Sequence, residues 1–196
     1  MALDGCNKKK DIDDNLQDHN YKSNYFPDNI FSERDDHNSF INESYSKQLK
    51  ALDEPSIYAQ KHDPSRQLYR FTWLRSFHNS VSIRLEIEKD GSGLLYVKMS
   101  NALEENSAEK ITKNEIIIIE KEDVHEFLEL LAQKNFWKLP SAREIFGLDG
   151  AEWIIEGLSN GKYHLVDRWS PEKEDSIRKI GLFLLHLSNL DIKEIY

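Results

Sequence analysis

Residues 69–88 read YRFTWLRSFHNSVSIRLEIE, and the two alternations inside them decide the fold class. Tyr69, Phe71, Trp73, Arg75 and Phe77 share one face of the first segment. Val81, Ile83, Leu85 and Ile87 share one face of the second, against Ser82, Arg84, Glu86 and Glu88 on the other. A period of two marks a β-strand with one dry face. A two-residue turn at His78-Asn79 sets Trp73 against Arg84, whereas a three-residue loop, His78-Asn79-Ser80, pairs Phe77 with Val81, Arg75 with Ile83 and Trp73 with Leu85. A slip of one residue turns every side chain to the wrong face, so the three-residue loop is predicted. Beyond the turn signal Lys89-Asp90-Gly91-Ser92-Gly93, Leu95, Val97 and Met99 continue the apolar face as a third strand.

Downstream, residues 100–110 are polar and read as a loop, and Glu115 to Ile119 reads as a buried fourth strand. Val124, Phe127, Leu128 and Leu131 form an i, i+3, i+4, i+7 stripe with Glu122 and Asp123 at its start, which predicts a helix ended by Asn135 in the left-handed region. Trp153–Leu158 and Tyr163–Trp169 flank Asn160-Gly161, a strong hairpin signal. Ser170 as N-cap and Pro171 at the first helical position then open a last helix with Ile177, Ile180, Leu184 and Leu187 on its core stripe. The order predicts an α+β domain: a mainly antiparallel sheet of a three-strand meander, a fourth strand and a later hairpin, with two main helices packed on one face.

Working backwards, the composition changes near residue 66. Residues 1–40 are rich in Asp, Asn, Ser and Lys and carry too little periodic apolar surface to offset the entropy of ordering them. They read as a disordered polar tether in which Tyr21, Tyr25, Phe26, Phe31 and Phe40 are scattered solvated aromatics. Residues 41–66 read as a lead-in containing one short helix, in which Tyr45, Leu49 and Leu52 keep helical spacing until Glu54-Pro55 stops it, and residues 67–196 as a single domain expected to be autonomous from about Tyr45.

The whole chain has 196 residues, 26 basic and 35 acidic, and a formal net charge of -9. That excess repels phosphate backbones, and no Lys/Arg block offsets it locally, so nucleic acid is excluded as an expected partner. No apolar run approaches the roughly 18 residues that span a bilayer. The single cysteine, Cys6, rules out an intramolecular disulfide and a zinc site of several thiolates. No phosphate-binding glycine loop, dinucleotide fingerprint, nucleophile elbow or His-Glu-x-x-His motif is present, and no cofactor or metal is expected.

Leu3-Asp4-Gly5-Cys6 resembles the lipobox of bacterial lipoproteins, with a Leu three residues before the cysteine and a small residue directly before it, and departs from it at Asp4. The resemblance implies lipidation of Cys6 and a place in the bacterial cell envelope if a signal segment precedes it, and a cytoplasmic location otherwise. The segments WLRSFH at 73–78, DGAEW at 149–153 and YHLVDRW at 163–169 resemble a set of uncharacterised bacterial proteins over roughly residues 45–190. That resemblance implies no activity.

A two-residue Asn160-Gly161 turn sets Trp153 opposite Arg168, at a distance suited to cation-π contact, and makes Glu156 and Asp167 diagonal neighbours on the other hairpin face. Arg75, placed among aromatics, needs an acidic partner, and Glu156 or Asp167 is the natural one. We read this pairing as structural, with His78 and His164 at turns or strand edges in water. The functional alternative gathers Arg75, His78, Glu156, His164, Asp167 and Arg168 into a ligand-binding or acid-base cluster. The expected function is a non-enzymatic protein-interaction module whose acidic surface binds a protein partner. The alternatives are a bacterial immunity protein that blocks a basic toxin, and a small hydrolase using His164 with Asp167 or Glu156.

Overall fold

The computed structural model describes residues 25–101, 110–142, 147 and 149–196. It is an α+β fold built on a six-stranded antiparallel sheet. In chain order the elements are α1 (Asp35–Ala51), β1 (Leu68–Arg75), β2 (Val81–Ile87), β3 (Gly93–Ser100), β4 (Ile111–Ile119), α2 (Lys121–Gln133), β5 (Ala151–Ser159), β6 (Lys162–Trp169) and α3 (Ser176–Leu187). The sheet order is β4-β3-β2-β1-β5-β6, so the meander and the hairpin meet where β5 pairs with β1.

One face of the sheet carries the main core. Tyr69, Phe71, Trp73, Ile83, Leu85, Leu95, Val97, Trp153, Ile155 and Val166 point to α2 and α3, which bring Val124, Phe127, Leu131, Ile177, Ile180 and Leu184. This is the predicted face with its two helices. Close approach of α3 depends on Gly181, where a Cβ would come within 2.9 Å of the Trp153 ring. The β5–β6 turn is the predicted two-residue one: Ser159 pairs with Lys162, and Asn160 and Gly161 take φ of 52° and 73°.

Four expectations are corrected. The β1–β2 register is Trp73 with Val81, Phe71 with Ile83 and Tyr69 with Leu85, so the connection runs from Leu74 to Ser80 rather than over three residues. The apolar faces still match, because the slip is an even number of residues. Strand β1 runs on past its last pair with β2 because β5 continues to pair with it through Arg75. Secondly, β4 is an edge strand and not a buried one, with Ile116 60% and Ile118 72% exposed. Thirdly, α3 starts at Ser176 with Asp175 as its N-cap, accepting from the Ile177 N–H, while the Ser170 hydroxyl accepts from the Ala151 N–H.

The fourth correction concerns the second sheet face, expected to be wet. It is covered by residues 25–57, half of which were assigned to the tether. Helix α1 begins ten residues before Tyr45. Its inner face hid from the sequence because two of its members are amides: Asn38 Oδ1 accepts from the Phe31 N–H at 3.0 Å, and Asn42 donates to the Phe26 carbonyl. They hold the preceding loop so that Phe26, Phe31 and Tyr45 stack edge to face at 5.2 Å over Ile154 and Leu165. Residues 1–24, including Tyr21 and Cys6, lie outside the described residues.

Phe26 is fully buried and Phe40 is 73% exposed. Phe26→Ala should therefore cost about 3–5 kcal/mol in urea unfolding, whereas Phe40→Ala should stay within about 0.5 kcal/mol of the parent.

Candidate functional site

The covered face of the sheet holds two clusters of charge, one closed and one open. In the closed cluster Arg70 on β1 stands directly opposite Arg84 on β2, a like-charge pair that is unfavourable unless an anion joins it. Glu54 is that anion. Helix α1 ends in a left-handed residue, Asp53 with φ of 51°, whose N–H reaches the Lys50 carbonyl while the Glu54 N–H reaches that of Leu49. The reversal drops the Glu54 carboxylate onto the sheet, where Oε2 accepts from Arg84 Nε at 2.8 Å and lies 3.5 Å from Arg70 Nη1, and Oε1 lies 3.4 Å from Lys98 Nζ on β3.

Arg70 also donates from Nε to Glu156 Oε2 at 2.7 Å and from Nη1 to the Pro55 carbonyl at 2.7 Å, and Tyr163 donates to the other oxygen of Glu156 at 2.9 Å. Arg84 bridges on to Glu86. Burial works against the Arg70 charge, but Glu156 and Glu54 together outweigh it and hold the guanidinium above its ordinary pKa. Each charged side chain of the cluster is ion-paired within it, although Glu54 Oε1, 3.4 Å from Lys98 Nζ, has no hydrogen-bond partner among the described residues.

The open cluster lies between α1 and the β5–β6 hairpin. Glu152 and Asp167 are diagonal across the hairpin, since Ile154 pairs with Asp167 and Glu152 with Trp169. They are close enough for the charge of Asp167 to bear on Glu152. Tyr45 donates to Asp167 Oδ2 at 3.2 Å, and Asp167 Oδ1, in a residue only 8% exposed, has no hydrogen-bond partner among the described residues. Burial first and then the Asp167 charge push Glu152 up to about 9. Burial pushes Asp167 up to about 6, against the opposing pull of Glu152, Tyr45 and Arg168.

These two carboxyls form the floor of a cavity of about 190 Å³ whose walls include Phe31, Phe40, Tyr45 and Trp169, with His37 at one side. No Lys or Arg lines it among the described residues.

The predicted site residues fall in separate places. Arg75 does not pair with Glu156 or Asp167. It lies at the end of β1, where its guanidinium covers the Trp73 ring at 4.5 Å and donates twice to the Asn79 carbonyl, at 2.9 and 2.6 Å. The Asn79 carbonyl in the longer loop takes the place of the expected carboxylate. His78 is in that loop, with Nδ1 2.7 Å from the Tyr196 hydroxyl. Glu156 belongs to the closed cluster, paired with Arg70.

His164 is on the opposite face from Glu156 and Asp167, against Phe136 at 5.0 Å and Trp137, and burial lowers its pKa. It therefore does not meet either carboxylate. Arg168 is opposite Trp153 as expected, but its guanidinium donates to the Pro140, Ser141 and Asp167 carbonyls, and the cation over Trp153 is Arg178 at 5.3 Å. Of the predicted set, only Asp167 lines the cavity. Its partner Glu152 was missed because the hairpin face was read from Trp153 onward; one further step of the same alternation reaches it.

Among the described residues no group of three His, Cys, Asp or Glu side chains clusters as a metal site, and no helix is long and apolar enough to cross a membrane. No protein-family model matches the chain, and comparison with curated proteins finds no relative.

Two outcomes follow from the charges. Glu54→Gln removes an anion shared by three buried cations and should cost about 3–5 kcal/mol in chemical denaturation.

Glu152 and Asp167 both bind a proton more tightly when folded than at their ordinary values of 4.5 and 3.8. The stability they contribute is complete below those ordinary values and is lost as pH rises through about 6 and then about 9. The melting temperature should therefore fall from about pH 4 to about pH 9, more steeply up to about pH 6 where both groups hold extra protons, and Glu152→Gln should flatten that fall in scanning fluorimetry while matching the parent near about pH 4.

Proposed function

We propose that this chain is a protein-interaction module that takes a basic side chain of its partner into the cavity between α1 and the β5–β6 hairpin. One observation carries the reading: Glu152 and Asp167, with an unpartnered Oδ1, are held beneath aromatic walls that no Lys or Arg of the described chain enters. A buried acid pair without a cation is kept neutral by protons, and an ammonium or guanidinium group that entered would replace them. The ring faces of Phe31, Tyr45 and Trp169 suit the alkyl stem and head of such a side chain. The net charge of -9 steers a basic partner toward the molecule.

The geometry favours this over catalysis by His164, which faces the other way. A basic toxin is one partner of that chemistry.

The test is calorimetry of the full chain with Gly-Lys-Gly and with its neutral isostere Gly-norleucine-Gly. The lysine peptide should bind, with a dissociation constant on the order of millimolar for so small a ligand, and the norleucine peptide should not. Affinity should rise from about pH 6 to about pH 8, because cation uptake requires ionised carboxyls. Asp167→Asn should weaken it by about tenfold or more. Equal binding of the two peptides, or binding indifferent to Asp167→Asn, would sink the reading.

A further inference from the structure

The two edges of the sheet are treated differently. At β6 the outer edge is covered: the Asp167 N–H donates to the Ser141 carbonyl at 2.7 Å, Arg168 binds the Pro140 and Ser141 carbonyls, and Phe136 and Trp137 pack on His164. At β4 the strand pairs with β3 alone among the described residues and leaves its other edge without a partner strand. It is nine residues long, and its last four, Ile116 to Ile119, carry no charge, proline or glycine of the kind that blunts an edge. Ile116 and Ile118 project from the same face as Tyr96 and Leu94 and are 60% and 72% exposed.

We propose that β4 is an interface between two copies of this chain, joined antiparallel edge to edge so that the two six-stranded sheets become one. A second copy offers β4 a self-complementary partner, because Ile116 and Ile118 are two apart on one face and can face each other across a two-fold axis, and the strand's own sequence then selects the register. In an antiparallel pair of identical strands, side chains directly opposite share a face, so the two-fold axis must pass through a residue. An axis at Ile117 sets Ile116 of one copy against Ile118 of the other, and the reverse, joining four exposed isoleucines into one apolar patch; because α2 begins at Lys121, the paired stretch is Glu115 to Ile119, with Glu115 opposite Ile119 at its ends. An axis at Asn114 matches Lys113 with Glu115 across the interface, but it sets Ile118 against Lys110 and Ile116 against Thr112. Lys113 and Glu115 already pair within the strand at 3.0 Å, so that register exchanges one exposed ion pair for another and leaves the isoleucines wet. Apolar burial outweighs exposed ion pairs, and the Ile117-centred register is favoured. The contact is on the far side of the sheet from the β5–β6 cavity and is independent of what that cavity binds.

Sedimentation equilibrium of the full chain tests this. The protein should sediment at twice its 23.0 kDa mass as concentration rises toward about 200 μM, and the double variant Ile116→Lys, Ile118→Lys should sediment as a monomer with unchanged far-ultraviolet circular dichroism. Because lysines at these positions perturb an exposed face only, loss of fold is not expected. As a second readout, Ile117→Cys in a Cys6→Ser background should form a disulfide-linked dimer under a mild added oxidant, since the two-fold axis sets the two thiols face to face. A monomer at every concentration overturns the proposal, as does a dimer that survives the double lysine substitution. A dimer lost with the lysines but not linked through position 117 overturns the register.

Discussion

Three cations on one face of the sheet, Arg70, Arg84 and Lys98, converge on a single carboxylate that the sheet does not supply. Arg70 and Arg84 are opposite each other on paired strands, an arrangement that repels unless a counter-charge is brought between them. The chain brings it from sixteen residues upstream of Arg70, by ending α1 in a left-handed turn that points Glu54 inward. Once Glu54 is fixed, much else is fixed with it. The Tyr25 hydroxyl donates to the Glu54 carbonyl at 2.8 Å and Ser56 donates to the Tyr25 carbonyl at 2.9 Å, so the loop that carries Phe26 and Phe31 is tied to the same point. The position of α1 across the sheet, and with it the roof of the cavity, is a consequence of satisfying the meander's charges.

The two charged clusters obey the same electrostatics with opposite outcomes. Around Glu54, three cations meet Glu54, Glu156 and Glu86, so signs balance and each guanidinium finds oxygen acceptors inside the protein. Such a network stabilises little beyond what an apolar packing would, but it fixes one register of helix against sheet, because every other register leaves a buried charge without its partner. Around Glu152, two acids and a phenol meet, and the Arg168 charge opposes the upward shift of Asp167 only in part. Burial first, and for Glu152 then the neighbouring Asp167 charge, shifts both carboxyls upward, and Tyr45 holds its own proton well above the usual phenol range through burial first and then Asp167.

What could be read from sequence followed from how regular each signal is. The period-two runs at Tyr69–Trp73 and Val81–Ile87, the helical stripe at Val124–Leu131 and the Asn160-Gly161 turn each repeat one rule over several residues, and the main core, its two helices and the hairpin register came out as expected. Helix α1 broke the pattern because Asn38 and Asn42 occupy inward positions where periodicity looks for apolar residues, and their work, holding backbone groups of a loop, has no signature in spacing. The ionic cluster was half visible. Arg70 and Arg84 were legible as alternating polar residues, but their burial depends on Glu54, which is distant in sequence and was read only as a helix stop. Arg75 was misassigned for a related reason. A cation on an aromatic face was taken to need a carboxylate, and a loop of unexpected length offered the Asn79 carbonyl instead.

The contrast between the sheet's halves ties these points together. Covering the second face of β1, β5 and β6 uses residues 25–57, and that segment ends its descent at Glu54, over the middle of the sheet. It leaves the outer strands of the meander with one helix-packed face and one bare one. Tyr96 is the last side chain of that bare face with a charged neighbour to occupy it, the Arg84 guanidinium at 4.0 Å from its ring, and beyond it come Ile116 and Ile118. An α+β sheet normally hides one face and exposes a polar other. Here Arg84 and Lys98 of that face are buried while Ile116 and Ile118 are exposed beside an exposed Asn114, because Glu54 neutralises the cations internally and the isoleucines lie on the edge strand.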